Sequence, residues 1–208
     1  MRIAPEGWPF IALAWLIEVA LMTLAPPVAW LIWLIVAVWV VAFFRDPVRN
    51  GPRGDDLIIA PADGKVVSII PMDEPTVVGG AAVRISIFMN VFNVHVNRYA
   101  TSGTVTFRRY VEGQFNNADL EKAALQNEHS DIGVTSPRGP LLMRQIAGSV
   151  ARRIVTDHGE GTAVVQGERL GLIRFGSRVD VFVPAGTQVL VKEGDVTQAG
   201  MTVLAQWQ

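Results

Sequence analysis

Residues 8 to 44 constrain this chain more than any other stretch. "WPFIALAWLIEVALMTLA" runs from Trp8 to Ala25, Pro26-Pro27 interrupt it, and "VAWLIWLIVAVWVVAFF" fills Val28 to Phe44 with apolar and aromatic residues only. A helix that crosses a bilayer needs about 20 apolar residues, with a lower limit near 17. The first run is broken by Glu18 and Thr23. A cleaved leader fits poorly: Arg2 is opposed by Glu6, prolines stand where small residues would mark cleavage, and a longer apolar run follows. Arg2 precedes the first run, and Arg45, Arg49 and Arg53 follow the second. Basic flanks stay on the cytoplasmic side. The expectation is a membrane-associated hydrophobic hairpin with its linker over 1–54, turned at Pro26-Pro27, with the rest of the chain cytoplasmic. Such a hairpin either crosses the membrane or lies in one leaflet.

The mean hydropathy of +0.32 is carried largely by that segment. "RDPVRNGPRGDD" (45–56) reads as a loop, with its prolines, glycines and charges. Beyond it the chain is close to neutral, and the net charge of −1 for all 208 residues offers no electrostatic footprint for nucleic acid. With no cysteine, disulfides, thiolate nucleophiles, zinc ribbons and iron–sulfur clusters are excluded. His95, His129 and His158 are not spaced to share a metal on one helix or strand, so no metal site is expected.

Residues 55–208 read as a mainly β (α+β) domain. "LIIAPADGKVVSII" places two apolar runs around an Asp63-Gly64 turn, and Val83, Ile85, Ile87 and "GTVTFRRYV" alternate with period two. "NADLEKAALQNE" (117–128) predicts a short helix, and "PLLMRQIAGSVARRIVT" is open between strand and helix. "GLIRFGSRVDVFVPAGTQVLVKEGDVTQAGMTVLA" predicts short strands punctuated by glycine turns. The whole is expected to be a sandwich-like β barrel with short helices.

Gly176-Ser177 sits inside "GLIRFGSRVDVF", where glycine weakens a strand. One reading is a bulge. The other is chemical: the Ser177 hydroxyl attacks the unhindered Gly176 carbonyl, and β-elimination of the resulting ester leaves dehydroalanine, which hydrolyses to a pyruvoyl group and ammonia. His95, between Val94 and Val96, is either a hydrogen-bonded histidine on a half-exposed strand or a proton shuttle. Asp63 is either a turn residue or the group that orients a histidine. Arg108-Arg109, Arg152-Arg153, Arg174 and Arg178 read as solvated faces that could also meet anionic lipid.

The stretches "FFRDPVR" (43–49), "APADGKVV" (60–67), "FMNVFNVHVNR" (88–98), "QIAGSVARRI" (145–154) and "GLIRFGSRVDVF" (171–182) resemble the short form of the pyruvoyl-dependent phosphatidylserine decarboxylases, in family order. The resemblance implies that Ser177 becomes the pyruvoyl cofactor, that His95 and Asp63 assist, and that the chain splits between Gly176 and Ser177. The product is a large chain 1–176 paired with a small chain 177–208, alone or as a homo-oligomer of that pair. It further implies a membrane enzyme that joins the amine of phosphatidylserine to the pyruvoyl ketone as a Schiff base and releases CO2 and phosphatidylethanolamine. Phe92 stands where longer members carry a second histidine, and His129 where members commonly carry arginine.

Two other readings compete. A membrane-tethered biotinyl-like carrier or adaptor would modify Lys65, which lacks the Met-Lys-Met surroundings of such sites. A pyruvoyl decarboxylase of a soluble amino acid would leave the hairpin without a purpose.

Overall fold

The computed structural model describes residues 2–114, 126–148, 153–174 and 177–208. The chain divides into two compact units, Met1–Val48 and Arg49–Gln208.

The first unit is a helical hairpin. A short strand β1 (Arg2–Ile3) and one 3-10 turn (Pro5–Gly7) lead into α1 (Trp8–Leu24); α2 (Pro27–Phe43) and β2 (Arg45–Asp46) follow. Ala25 is extended, at φ −129° and ψ 158°, because a residue before proline is pushed out of the helical region. Pro27 opens α2 at a position where its missing N–H costs nothing. Ala14 and Ala37 are buried small residues that let the helices approach, and Trp33 Nε1 donates a 2.8 Å hydrogen bond to the Ala14 carbonyl. Arg2 pairs with Asp46 and Ile3 with Arg45, so the two ends of the hairpin meet. Pro5–Leu24 is helical over 20 residues and is long and apolar enough to cross a membrane; Pro27–Phe43 is shorter. Leu16, Leu24 and Ile35 are among many large apolar side chains that point outward, while Glu18 is buried.

The second unit is almost entirely β. Its strands are β3 (Leu57–Ile59), β4 (Gly64–Glu74), β5 (Gly80–Met89), β6 (Val96–Arg98), β7 (Gly103–Val111), β8 (His129–Ser136), β9 (Gly139–Ala147), β10 (Ile154–Thr156), β11 (Ala163–Val164), β12 (Arg169–Ile173), β13 (Ser177–Pro184), β14 (Gln188–Val189), β15 (Val196–Thr197) and β16 (Val203–Gln206). Among the described residues the main sheet has the order β11-β7-β8-β9-β13-β5-β4-β15, with smaller sheets β10-β12-β6 and β14-β16-β3 beside it. All pairings in the main sheet are antiparallel. One face carries the core: Ile85, Ile87, Met89, Met143, Ala147, Val179, Val181 and Val183 pack in a single cluster with Ile58 and Leu204.

The mainly β reading holds, with two helices ahead of it, but the barrel does not close. The large sheet is open and curled. Register shifts at Val66/Ser68 and Val105/Phe107 mark bulges, which sharpen the local twist. The curl brings Val77, in the turn between β4 and β5, so close to Gly133 of β8 that a side chain there would collide with it.

Three local expectations change. Asp63-Gly64 is not a hairpin turn, because β3 pairs with β16 and β4 with β5 and β15. Gly64 is needed instead because a Cβ would strike the Phe88 carbonyl. Residues 171–183 are not one strand: β12 belongs to a side sheet and β13 to the centre of the main sheet. Arg178 is not on a solvated face but fully buried, which removes it from any contact with lipid. "PLLMRQIAGSVARRIVT" resolves into β9 and β10, with 149–152 outside the described residues, as are most of the helix predicted over 117–128 and Gly176 of the proposed cleavage site.

Candidate active site

Ser177 is the first residue of β13 and is fully buried. It lies opposite Met89 of β5 and Ala147 of β9. Its Oγ has no hydrogen-bond partner among the described residues. A buried hydroxyl without a partner costs stability and calls for an explanation beyond packing. Ser177 shares the core face with Val179, Val181 and Val183, while Arg178 and Asp180 alternate to the other face. There Arg178 Nε donates to Asp180 at 2.6 Å, and its Nη2 donates to Ser86 Oγ at 2.8 Å. Removing one partner of such a buried pair is strongly destabilising, so the backbone just after Ser177 is clamped.

His95 sits at the foot of β6 and is buried rather than half exposed. The preceding loop is folded by its own asparagines: Asn93 Oδ1 accepts from Asn90 N–H at 2.8 Å and Asn90 Oδ1 from Phe92 N–H at 2.9 Å. That turn leaves Phe92 exposed. His95 Nδ1 lies 3.1 Å from the Asn93 carbonyl. A carbonyl only accepts, so Nδ1 carries the proton and Nε2 carries the lone pair of the neutral ring. The His95 carbonyl accepts from Ile173 N–H at 3.4 Å, extending the β6–β12 ladder to a point four residues before Ser177.

Asp63 is placed differently from the expectation that it orients His95. Its Oδ2 accepts from Arg49 Nη2 at 2.7 Å and its Oδ1 from Ala199 N–H at 2.7 Å. Both oxygens are thereby engaged away from His95, whose Nδ1–H is held by the Asn93 carbonyl.

Other polar residues complete the surroundings of Ser177. Asn97 accepts from Gln145 Nε2 at 2.8 Å, and Gln145 accepts from Thr156 Oγ1 at 3.0 Å. Asn127 Nδ2 donates to the Ala147 carbonyl at 2.7 Å, and Ala147 N–H donates to the Glu128 carbonyl at 2.9 Å. These residues were missed in the sequence. The available signal was Asn97 two residues beyond His95 in "VHVNR", and Gln145 alternating with Met143 and Ala147 in "LLMRQIA". His129 Nδ1 lies 2.8 Å from the Asn127 carbonyl. Next to it, burial pushes the Asp131 carboxyl up, but Arg144 and Arg109 overcome this and hold it below its ordinary value. Burial, reinforced by Asp157, pushes the Tyr99 hydroxyl up to about 12; it meets His158 at 3.1 Å.

What fold and site define is a β-sheet protein with a buried serine and a buried histidine at strand ends. The profile of the phosphatidylserine decarboxylase family matches residues 36–205. A phosphatidylserine decarboxylase proenzyme of Azorhizobium caulinodans is 47% identical over 205 residues, covering 97% of this chain and 88% of the relative. One from Magnetococcus marinus is 46% identical over 211 residues, covering 98% and 94%, and one from Xanthobacter autotrophicus 47% over 202 residues, covering 96% and 86%. The chain belongs to the phosphatidylserine decarboxylase family.

Proposed function

We propose that this chain is a proenzyme that cuts itself between Gly176 and Ser177 and then decarboxylates phosphatidylserine to phosphatidylethanolamine and CO2. The observation that carries the reading is the buried Ser177 Oγ, without a hydrogen-bond partner among the described residues, at the head of the central strand. The residues around it fit a pyruvoyl group: the site is sheltered from water, and Arg178 anchors the chain behind it.

Maturation follows from these residues. His95 Nε2 takes the hydroxyl proton, Ser177 Oγ bonds to the Gly176 carbonyl carbon, and the peptide C–N bond breaks as His95 returns that proton to the Ser177 nitrogen. The resulting ester loses the Ser177 Cα proton and its Cβ–Oγ bond, which leaves Gly176 as a carboxylate. Water then replaces the nitrogen, and ammonia departs. The pyruvoyl group supplies a ketone for the substrate amine and a sink for the electrons released with CO2. His95, protonated at Nε2, returns a proton to the carbon that has lost its carboxylate. The Asn93 carbonyl keeps the ring oriented throughout. Asp63 assists by tying Arg49 to Ala199, so that the segment after residue 176 stays seated.

The helical hairpin is the membrane anchor. Its outward side chains are large and apolar, and Arg2 and Arg45 lie at one end through the β1–β2 pairing, which favours placing that end and the β unit at the cytoplasmic surface of the cell membrane. Purified protein supplied with phosphatidylserine in detergent should form phosphatidylethanolamine, read by mass spectrometry of the lipid. No product from protein that has split at 176–177 would refute the assignment of substrate.

A further inference from the structure

The Asn97 side chain bridges the two strands that flank β13. Ser177 pairs with Met89 on one side and Ala147 on the other, and Val179 pairs with Gln145. Met89, Ala147 and Val179 all belong to the core face, and Gln145 alternates with Met143 and Ala147 on that same face. The Asn97 side chain reaches both flanking strands: Nδ2 contacts Met89 Sδ at 3.6 Å and Oδ1 accepts from Gln145 Nε2 at 2.8 Å. Its two contacts lie opposite Ser177 on one side of β13 and opposite Val179 on the other. A carboxamide has two N–H donors and thioether sulfur is a weak acceptor. One donor of Asn97 is thus spent weakly, and the second has no partner among the described residues, while Ser177 Oγ, opposite Met89, has none either.

The orientation of this amide is set from behind. Gln145 Oε1 accepts from Thr156 Oγ1 at 3.0 Å, and Thr156 meets Ser130 Oγ at 3.0 Å. In this arrangement Gln145 presents its NH2 to Asn97, whose oxygen faces β9 and whose NH2 faces Met89 of β5.

We propose that Asn97 donates a hydrogen bond to Oγ of residue 177 and stabilises that oxygen as it leaves during self-cleavage. The inference rests on the self-cleaving reading above. In the elimination the Cβ–Oγ bond breaks, the Cα proton goes to the base, and Oγ departs as part of the residue 176 carboxylate. Oγ gains negative charge in this step, so a fixed donor binds the transition state more strongly than the ester. Removing one such donor slows a step by about 10²- to 10³-fold.

The test uses the full chain with Asn97→Asp and Asn97→Ala, followed by gel and intact mass. Asn97→Asp keeps the shape and the acceptor for Gln145 but loses the donor at neutral pH. Both variants should remain largely uncut, and neutral hydroxylamine, which cleaves esters, should split them between 176 and 177. As pH is lowered, Asn97→Asp regains an O–H donor, so its cutting rate should rise relative to that of Asn97→Ala, which keeps the same His95. If charge at residue 97 unfolds the domain, judged by circular dichroism, Asn97→Ala with hydroxylamine carries the test. Normal cutting of either folded variant, or no hydroxylamine cleavage of both, overturns the role of Asn97. Wild type that stays whole in the same experiment refutes self-cleavage itself.

Discussion

Arg49 donates to Asp63 across 2.7 Å, and both side chains are mostly buried. The same carboxylate receives Ala199 N–H, so one aspartate joins the segment after the hairpin to the segment after residue 176. Hydrogen bonds to charged groups contribute about 1.5–3 kcal/mol. Arg49→Gln and Asp63→Asn should each lower stability by about that amount, and the double variant should lose less than the sum. Chemical unfolding of the uncut Ser177→Ala background measures this without interference from cleavage. Additive losses would show that the two side chains act separately.

His95 is predicted to serve both maturation and turnover. His95→Ala should slow cutting by about 10²- to 10⁴-fold, the usual worth of general base assistance. A variant that cuts normally but does not release CO2 would confine His95 to the later proton transfer. One that does both at wild-type rates would remove it from the mechanism.

Asp131 predicts an acid limit to stability. Its carboxyl is buried and accepts from Arg144 at 2.6 Å and Arg109 at 2.8 Å. Its folded pKa lies below its ordinary value, so its stabilisation is complete above the unfolded pKa of about 3.9 and is lost as pH falls through the lower folded value. Glu74 acts in the same direction: burial raises its pKa, but three N–H donors from Val78, Val77 and Thr76 outweigh it. Urea midpoints should be flat from pH 7 to 5 and fall below about pH 4. Asp131→Asn should cost about 2 kcal/mol or more at pH 7 and flatten the acid slope. An unchanged slope would place the acid sensitivity elsewhere.

Deleting residues 1–42 should move the protein to the soluble fraction with the β domain still folded, because the large outward apolar side chains are concentrated in α1 and α2. Full-length protein released from membranes by high salt alone would mean electrostatic surface binding instead.

Much of this was legible because local rules agree. Pro26-Pro27 had to break a helix, and the period-two runs at 83–87 and 103–111 had to be strands. The buried serine was legible only as a dipeptide of unusual place. What stayed hidden was long-range. Nothing near Asp63 in sequence announces Arg49 and Ala199 as its partners, and Asn97 meets Gln145 across 48 positions. Asp-Gly and Gly-Ser each looked like a turn or bulge within one sheet, yet each marks a passage from a side sheet into the main one. Arg178 reads as surface until Asp180 and Ser86 are brought onto the same buried face.

The most direct measurement is the intact mass of the purified wild-type protein beside Ser177→Ala. Self-cleavage predicts two chains for the wild type, residues 1–176 and a small chain of 32 residues (208 − 176). The small chain should carry pyruvoyl in place of Ser177 and resist Edman degradation, and Ser177→Ala should be one inactive chain. A wild-type protein that stays whole at 208 residues and still releases CO2 from phosphatidylserine would contradict it.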